Sequence, residues 1–219
     1  MVAVIDYGVG NVFSLQSSLH AIGEEAIVTD DKTKIRAANR VILPGVGAFG
    51  DAADKLRERG LFDFVREIAG EGKPLLGICL GMQLLFDRSL EYGEHEGLGL
   101  VPGEVRPIEE VIPKELDIPH MGWNALHLIS RPADGASLYN TDGAPNGVCP
   151  LFRDLAEGDY VYFVHSFAAF NCDKNLTATA EYVVPLTAAV ENRNVFGTQF
   201  HPEKSGPVGL KILKAFMSL

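Results

Sequence analysis

A chain of 219 residues, 47% hydrophobic and 22% charged, can bury a sizeable core and is too apolar for disorder along its whole length. Its 29 acidic against 19 basic residues leave a net charge of −10, which argues against a nucleic-acid partner. The cysteines Cys79, Cys149 and Cys172 form no disulfide framework or CxxC pair, Met1–Asp6 has no basic leader, and no apolar run reaches the roughly 18 residues of a membrane helix, so a cytoplasmic setting with no membrane contact is expected.

The apolar run Val2–Asp6 predicts a buried strand. Asn11–Gly23 follows with Val12, Leu15, Leu19 and Ile22 at helical spacing and Gly23 as the stop. Glu25–Thr29 and Arg40–Leu43 read as strands, the latter ended by Pro44-Gly45. Asp51–Arg59 and Phe62–Ala69 read as helices, Lys73–Ile78 as a strand and Leu80–Arg88 as a helix. This alternation predicts an α/β fold with a mainly parallel central sheet flanked by helices. The second half adds strands at Val101–Pro107, Ala125–Ile129, Tyr160–Val164, Thr177–Tyr182, Ala188–Glu191 and Val195–Phe200, then a helix at Val208–Met217. Arg131–Cys149, rich in Gly, Pro, Asn, Asp and Ser, reads as a long surface loop. No repeat or composition break divides the chain, so 1–219 is expected to be one domain.

The strongest chemical signal is Gly77-Ile78-Cys79-Leu80-Gly81-Met82-Gln83, a cysteine on a tight turn between a strand and a helix. This is the layout of a nucleophile elbow, with glycines where a side chain would strike neighbouring backbone and a helix start that favours a thiolate. The alternative is a buried structural cysteine with packing glycines. In Gln199-Phe200-His201-Pro202-Glu203, His201 and Glu203 can project the same way from an extended segment. His201 can then take the thiol proton and later protonate a departing amine, with Glu203 holding the imidazole; the alternative is a loop histidine beside a solvated carboxylate. In Pro44-Gly45-Val46-Gly47, backbone near Val46 or Gly47 can supply one oxyanion donor and Leu80 N–H the other.

These motifs resemble the class I glutamine amidotransferases: GICLGMQ at 77–83, PGVG at 44–47 and HPEKS at 201–205. YGVGN at 7–11, PGVGAFG at 44–50, CLGMQLLF at 79–86, PHMGWN at 119–124 and YFVHSF at 162–167 narrow the likeness to glutaminase subunits of imidazole glycerol phosphate synthases. The resemblance covers nearly the whole chain. It implies hydrolysis of glutamine through a thioester on Cys79, with ammonia passed to a (β/α)8-barrel cyclase in histidine biosynthesis, and no cofactor or metal in this subunit. It sets Gly45, Gln83, Glu91, Ser166 and Phe167 around the glutamine, where a zwitterion needs an acceptor for its ammonium and donors for its carboxylate. It also turns Asn11, Met121, Trp123, Asn124 and Lys204 toward the cyclase, and leaves His120 and His165 as supporting residues. Two departures stand out: Phe167 replaces the tyrosine of many relatives, and 131–149 is longer than in compact ones.

Overall fold

The computed structural model describes residues 1–131 and 147–219, so most of the expected loop at 131–149 lies outside the described residues. The first half runs β1 Val2–Ile5, α1 Val12–Ala21, β2 Ala26–Thr29, α2 Lys32–Ala37, β3 Arg40–Leu43, α3 Phe49–Glu58, α4 Phe62–Gly70, β4 Leu75–Ile78 and α5 Leu80–Gln83. The second half runs β5 Arg88–Ser89, β6 His95–Glu96, β7 Glu104–Pro107, β8 His120–Leu128, β9 Tyr160–His165, β10 Phe167–Phe170, β11 Leu176–Tyr182, β12 Val184–Asn192, β13 Val195–Thr198 and α6 Gly206–Phe216.

The expected α/β architecture is present. A nine-stranded sheet has the order β2-β1-β3-β4-β13-β12-β11-β8-β9. The pairs from β2 to β13 are parallel, and those from β13 to β9 are antiparallel. A four-stranded sheet, β10-β7-β5-β6, stands apart from it.

The parallel strands β1, β3 and β4 are apolar but for Arg40 because both faces are covered. Ala3, Ile5, Val41, Leu43 and Leu75 join one core with residues of α2, α3 and α4. Val2, Val4, Ile42, Leu76 and Ile78 join a second core with residues of α1 and α6. Each fully buried aliphatic side chain contributes about 1.5–3 kcal/mol. With helices packed on both faces, ligand access falls at the carboxyl ends of the strands, where Pro44-Gly45, Cys79 and His201 follow β3, β4 and β13.

Five expectations change. The strand expected at Val101–Pro107 begins at Glu104, where pairing with β5 and β10 starts. The helix expected over Leu80–Arg88 stops at Gln83, because Leu98, Gly99, Leu100 and Val101 donate to the carbonyls of Leu84, Leu85 and Phe86. Long-range bonds thus replace the intrahelical ladder, and Arg88–Ser89 is free to become a strand. The strand expected at Ala125–Ile129 begins at His120, since His120–Ala125 pairs residue for residue with β9. The strand expected at Ala188–Glu191 spans Val184–Asn192. Val195–Phe200 ends as a strand at Thr198, three residues short of His201.

The elbow depends on close backbone approach. A Cβ at Gly77 would stand 2.6 Å from the Gly81 carbonyl oxygen, and one at Gly81 would overlap the carbonyl oxygen of Leu43. The Gly81→Ala variant is therefore expected to lose about 3 kcal/mol or more in urea unfolding, or not to fold. Gly70→Ala is the control, since a Cβ there meets open space, and it is expected to shift stability by no more than about 1 kcal/mol.

Candidate active site

Parallel pairing of β4 with β13 sets Ile78 opposite Thr198, and the Cys79 N–H donates to the Thr198 carbonyl at 2.7 Å. This bond anchors the turn. Cys79 takes φ 55° and ψ −113°, a left-handed conformation that costs a side-chain-bearing residue about 1–3 kcal/mol. The strain is held by the bond at Cys79, by the glycine contacts and by burial of Leu80 and Met82.

His201 leaves the neighbouring strand by a short loop. Its N–H donates to the Tyr162 carbonyl at 3.0 Å, and its carbonyl accepts from Ser205 Oγ at 2.6 Å. Ser205 Oγ in turn accepts from the Tyr162 N–H at 3.0 Å, so the loop is tied to β9. Glu203 does not follow in an extended segment, as expected; Pro202–Lys204 forms a 3-10 turn started by proline. The turn still brings Glu203 Oε1 to 2.8 Å from His201 Nδ1. Both side chains are nearly fully buried. Burial pushes the His201 imidazole down, but the neighbouring Cys79 sulfur and the hydrogen-bonded Glu203 carboxylate outweigh this and raise it to about 9.

A cavity of about 350 Å³ opens above these residues. Cys79, His201, Val46, Gly47, Leu80, Gln83, Glu91, Ser166, Phe167 and Lys204 all line it. Gly45 does not: it is buried below the wall, where a Cβ would stand 2.8 Å from Gly81 N and 2.8 Å from Tyr7 Oη. Its lack of a side chain serves backbone packing, and this corrects its expected place against a ligand. Tyr7 explains part of the YGVGN motif, since its hydroxyl donates to the Pro44 carbonyl at 2.7 Å and holds the Pro44–Gly47 turn to β1. Gly47 has φ 97°, a conformation suited to glycine.

Glu91 is buried in the cavity wall, and its Oε2 accepts from the Phe49 N–H at 2.6 Å, the first amide of α3. Burial raises the Glu91 carboxyl despite that bond. Gln83 Nε2 lies 3.0 Å from the Phe167 carbonyl and 3.0 Å from Gln199 Oε1. Gln199 escaped the sequence reading. It is fully buried, and its Nε2 lies 3.8 Å from Cys79 Sγ. The available signal was a polar residue directly after the apolar run of β13. Tyr92, Pro119, Val164 and His165 also line the cavity without having been singled out as binding residues.

The residues expected to face a partner form two groups. Asn11 caps α1, its amide donating to Ser14 Oγ at 2.8 Å, and it lies beside His201 and Glu203 in a second, small void. Met121 and Trp123 are 64% and 53% exposed on β8, which rules out a core role for the single tryptophan. Trp123 meets the Tyr162 ring edge-on at 6.0 Å, and Lys204 Nζ lies 5.9 Å from the same ring. Asn124 bonds inward, to His120 and to the Glu181 carbonyl.

Residues 3–218 match the glutamine amidotransferase class-I family. The chain is 45% identical to "Imidazole glycerol phosphate synthase subunit HisH" of Bacillus cereus over 219 residues, covering 100% of this chain and 95% of that protein. It is 43% identical over 217 residues to the protein of the same name from Oceanobacillus iheyensis, covering 99% and 98%. A solved structure titled "Crystal structure of glutamine amidotransferase" superposes with a TM-score of 0.72 at 18% identity, covering 100% of this chain and 98% of that one. "Structure of PurLQS from Thermotoga maritima" gives 0.68 at 22% identity, covering 99% and 97%. At those identities the structures speak for the fold alone.

Glu203→Gln tests the electrostatics of this site. The neutral amide withdraws one of the two groups that hold the His201 proton, so the imidazole is expected to titrate below about 9. Turnover of the expected substrate should fall by roughly 10²- to 10⁴-fold. An NMR titration of the histidines and kcat at saturating glutamine check both; an unmoved His201 titration would show that Glu203 does not act on it.

Proposed function

The chain belongs to the glutamine amidotransferase class-I family, and from that membership we propose that it is the glutaminase subunit of an imidazole glycerol phosphate synthase. The observation that carries this is that Cys79 and His201 come from adjacent strand ends to line one cavity, with Glu203 bonded behind His201, in a chain 45% identical along its whole length to a protein of that name.

Cys79 Sγ attacks the side-chain carboxamide carbon of glutamine after His201 has accepted the thiol proton. The C–N bond of the tetrahedral intermediate breaks as His201 returns the proton to nitrogen, and ammonia leaves with a glutamyl thioester on Cys79. Water, activated by His201, then cleaves the thioester to glutamate and restores the thiol. Glu203 keeps the imidazole oriented and stabilises its cation. Leu80 N–H, with backbone at Val46 or Gly47, receives the oxyanion. Gln83, Glu91 and the Ser166–Phe167 backbone hold the amino-acid head group, with Glu91 opposite the ammonium.

The partner is a (β/α)8-barrel cyclase that consumes the ammonia. The exposed Met121 and Trp123, Lys204 against the same Tyr162 ring as Trp123, and Asn11 and Asn124 form its docking face; exposed Trp and Met are typical of such surfaces. No helix among the described residues is long and apolar enough to cross a membrane, and all three cysteines are unpaired, which supports a reducing cytoplasm as its location.

On this reading glutamate release from glutamine should be slow for the chain alone and rise at least about tenfold with a barrel cyclase and its ribotide ligand, as partner binding shifts the site to its competent state. Strong turnover alone, unmoved by the cyclase, would indicate an independent γ-glutamyl hydrolase. Cys79→Ser should abolish glutamine-dependent synthesis while the partner's synthesis from added ammonia continues; loss of both would give Cys79 a structural role instead.

A further inference from the structure

A second buried cluster adjoins the cavity, with His165 in its wall. His120 is 1% exposed and His165 is 6% exposed, facing each other across the β8–β9 pair. His120 Nδ1 lies 3.0 Å from His165 Nε2, and His120 Nε2 lies 2.8 Å from Asn124 Oδ1. The chain of bonds ends at carbonyls on both sides. Asn124 Nδ2 donates to Glu181 O at 2.9 Å, and His165 Nδ1 lies 2.8 Å from Phe167 O. Phe167 O also accepts from Gln83 Nε2, whose other neighbour is Gln199, itself in contact with Cys79. The His120 ring is stacked between Phe163 at 5.1 Å and Tyr182 at 4.3 Å, so it has little room to turn.

We propose that His120 and His165 are positioning residues for glutamine binding, forming with Asn124 a strut that joins the strand carrying Met121 and Trp123 to the Phe167 carbonyl in the cavity wall. This rests on the glutaminase reading above. Neither histidine reaches the reacting atoms; both act through the carbonyl that Gln83 uses.

Counting protons gives the strut its internal structure. Phe167 O can only accept, so His165 carries its proton on Nδ1 and presents a bare Nε2. His120 must then donate to it from Nδ1. Asn124 Oδ1 asks for a third ring proton, on His120 Nε2, whereas two neutral imidazoles bring only two. Burial pushes His165 down to about 3 and lowers His120 as well. The titratable groups facing the pair are Tyr182 from β11 and His201 from the loop after β13, and the latter's charge also opposes a further proton. No carboxylate bonds to either ring among the described residues. The inner links, His120 to His165 to Phe167, therefore persist with neutral rings. The outer contact to Asn124, 2.8 Å in the structure, gains its ring proton as pH falls through the lowered His120 titration, burial lowering that titration against the Asn124 contact, which favours the proton. Asn124 is the outer end of the strut, on the proposed docking strand itself.

His120→Phe keeps the ring stack and removes both links, while His120→Asn can still offer an amide N–H toward His165. With the cyclase and its ligand present, the KM for glutamine of His120→Phe should rise about 3- to 10-fold, with kcat within about twofold of wild type, and His120→Asn should recover most of the loss. In wild type, nitrogen-15 NMR should show His165 as the neutral Nδ1–H tautomer, and His120 without an Nε2 proton near pH 7, gaining it in acid. The Gln83 side-chain amide should shift in His120→Phe. An unchanged KM and Gln83 amide in folded His120→Phe, or a proton on His165 Nε2, would overturn the proposal. If wild type releases no glutamate under any condition, the glutaminase reading fails instead, and the tautomers still decide whether the strut exists.

Discussion

The parallel pairing of β4 with β13 is the constraint from which the site follows. It places the residue after Ile78 and the loop after Thr198 side by side, and the Cys79 N–H to Thr198 carbonyl bond fixes the turn at the point where the chain is most strained. Everything that packs around the turn is dictated by that closeness. Gly77, Gly81 and Gly45 are bare because each is crowded by neighbouring backbone. Tyr7 and Pro44 bring the β3 turn to the same edge. A nucleophile held in a left-handed conformation is stable here because several independent contacts hold it and none alone has to.

Electrostatics then divides the buried polar groups into two kinds. His201 lies between a thiol and a carboxylate, and those partners overcome burial and keep its proton. His120 and His165, equally removed from water, have no carboxylate bonded to them among the described residues, and burial keeps them neutral. The same side chain thus becomes a proton carrier at one place and a fixed strut at another, depending on its neighbours. Glu91 uses a third arrangement: it is stripped of water and answered by the first amide of α3, and no salt bridge reaches it among the described residues.

Much of this was legible in the sequence where the cause is local. Arg40–Leu43 is legible residue for residue because Val41, Ile42 and Leu43, covered on both faces, form an apolar run that Pro44-Gly45 ends. The elbow was legible because its glycines flank a cysteine between an apolar strand and a helix start, a local pattern. What was missed has distant causes. The helix after Cys79 is cut short by donors from Leu98–Val101, which no window around Leu84 contains. The first half of β8, His-Met-Gly-Trp-Asn, has no alternation to announce a strand and is held as one by β9. The helix Lys32–Ala37 buries only Ile35, too little to leave a periodic signal. Gln199 became visible only when β13 set its amide beside the sulfur.

The central claim is that Cys79, among the three cysteines, is the nucleophile that takes the glutamyl group. An electrophilic diazo-ketone analogue of glutamine, offered to the chain with its cyclase partner and followed by intact-mass and peptide mass spectrometry, tests this most directly. One adduct on Cys79, slowed by excess glutamine, is the result expected from the geometry. An adduct on Cys149 or Cys172, or labelling of Cys79 that glutamine does not slow, would contradict it.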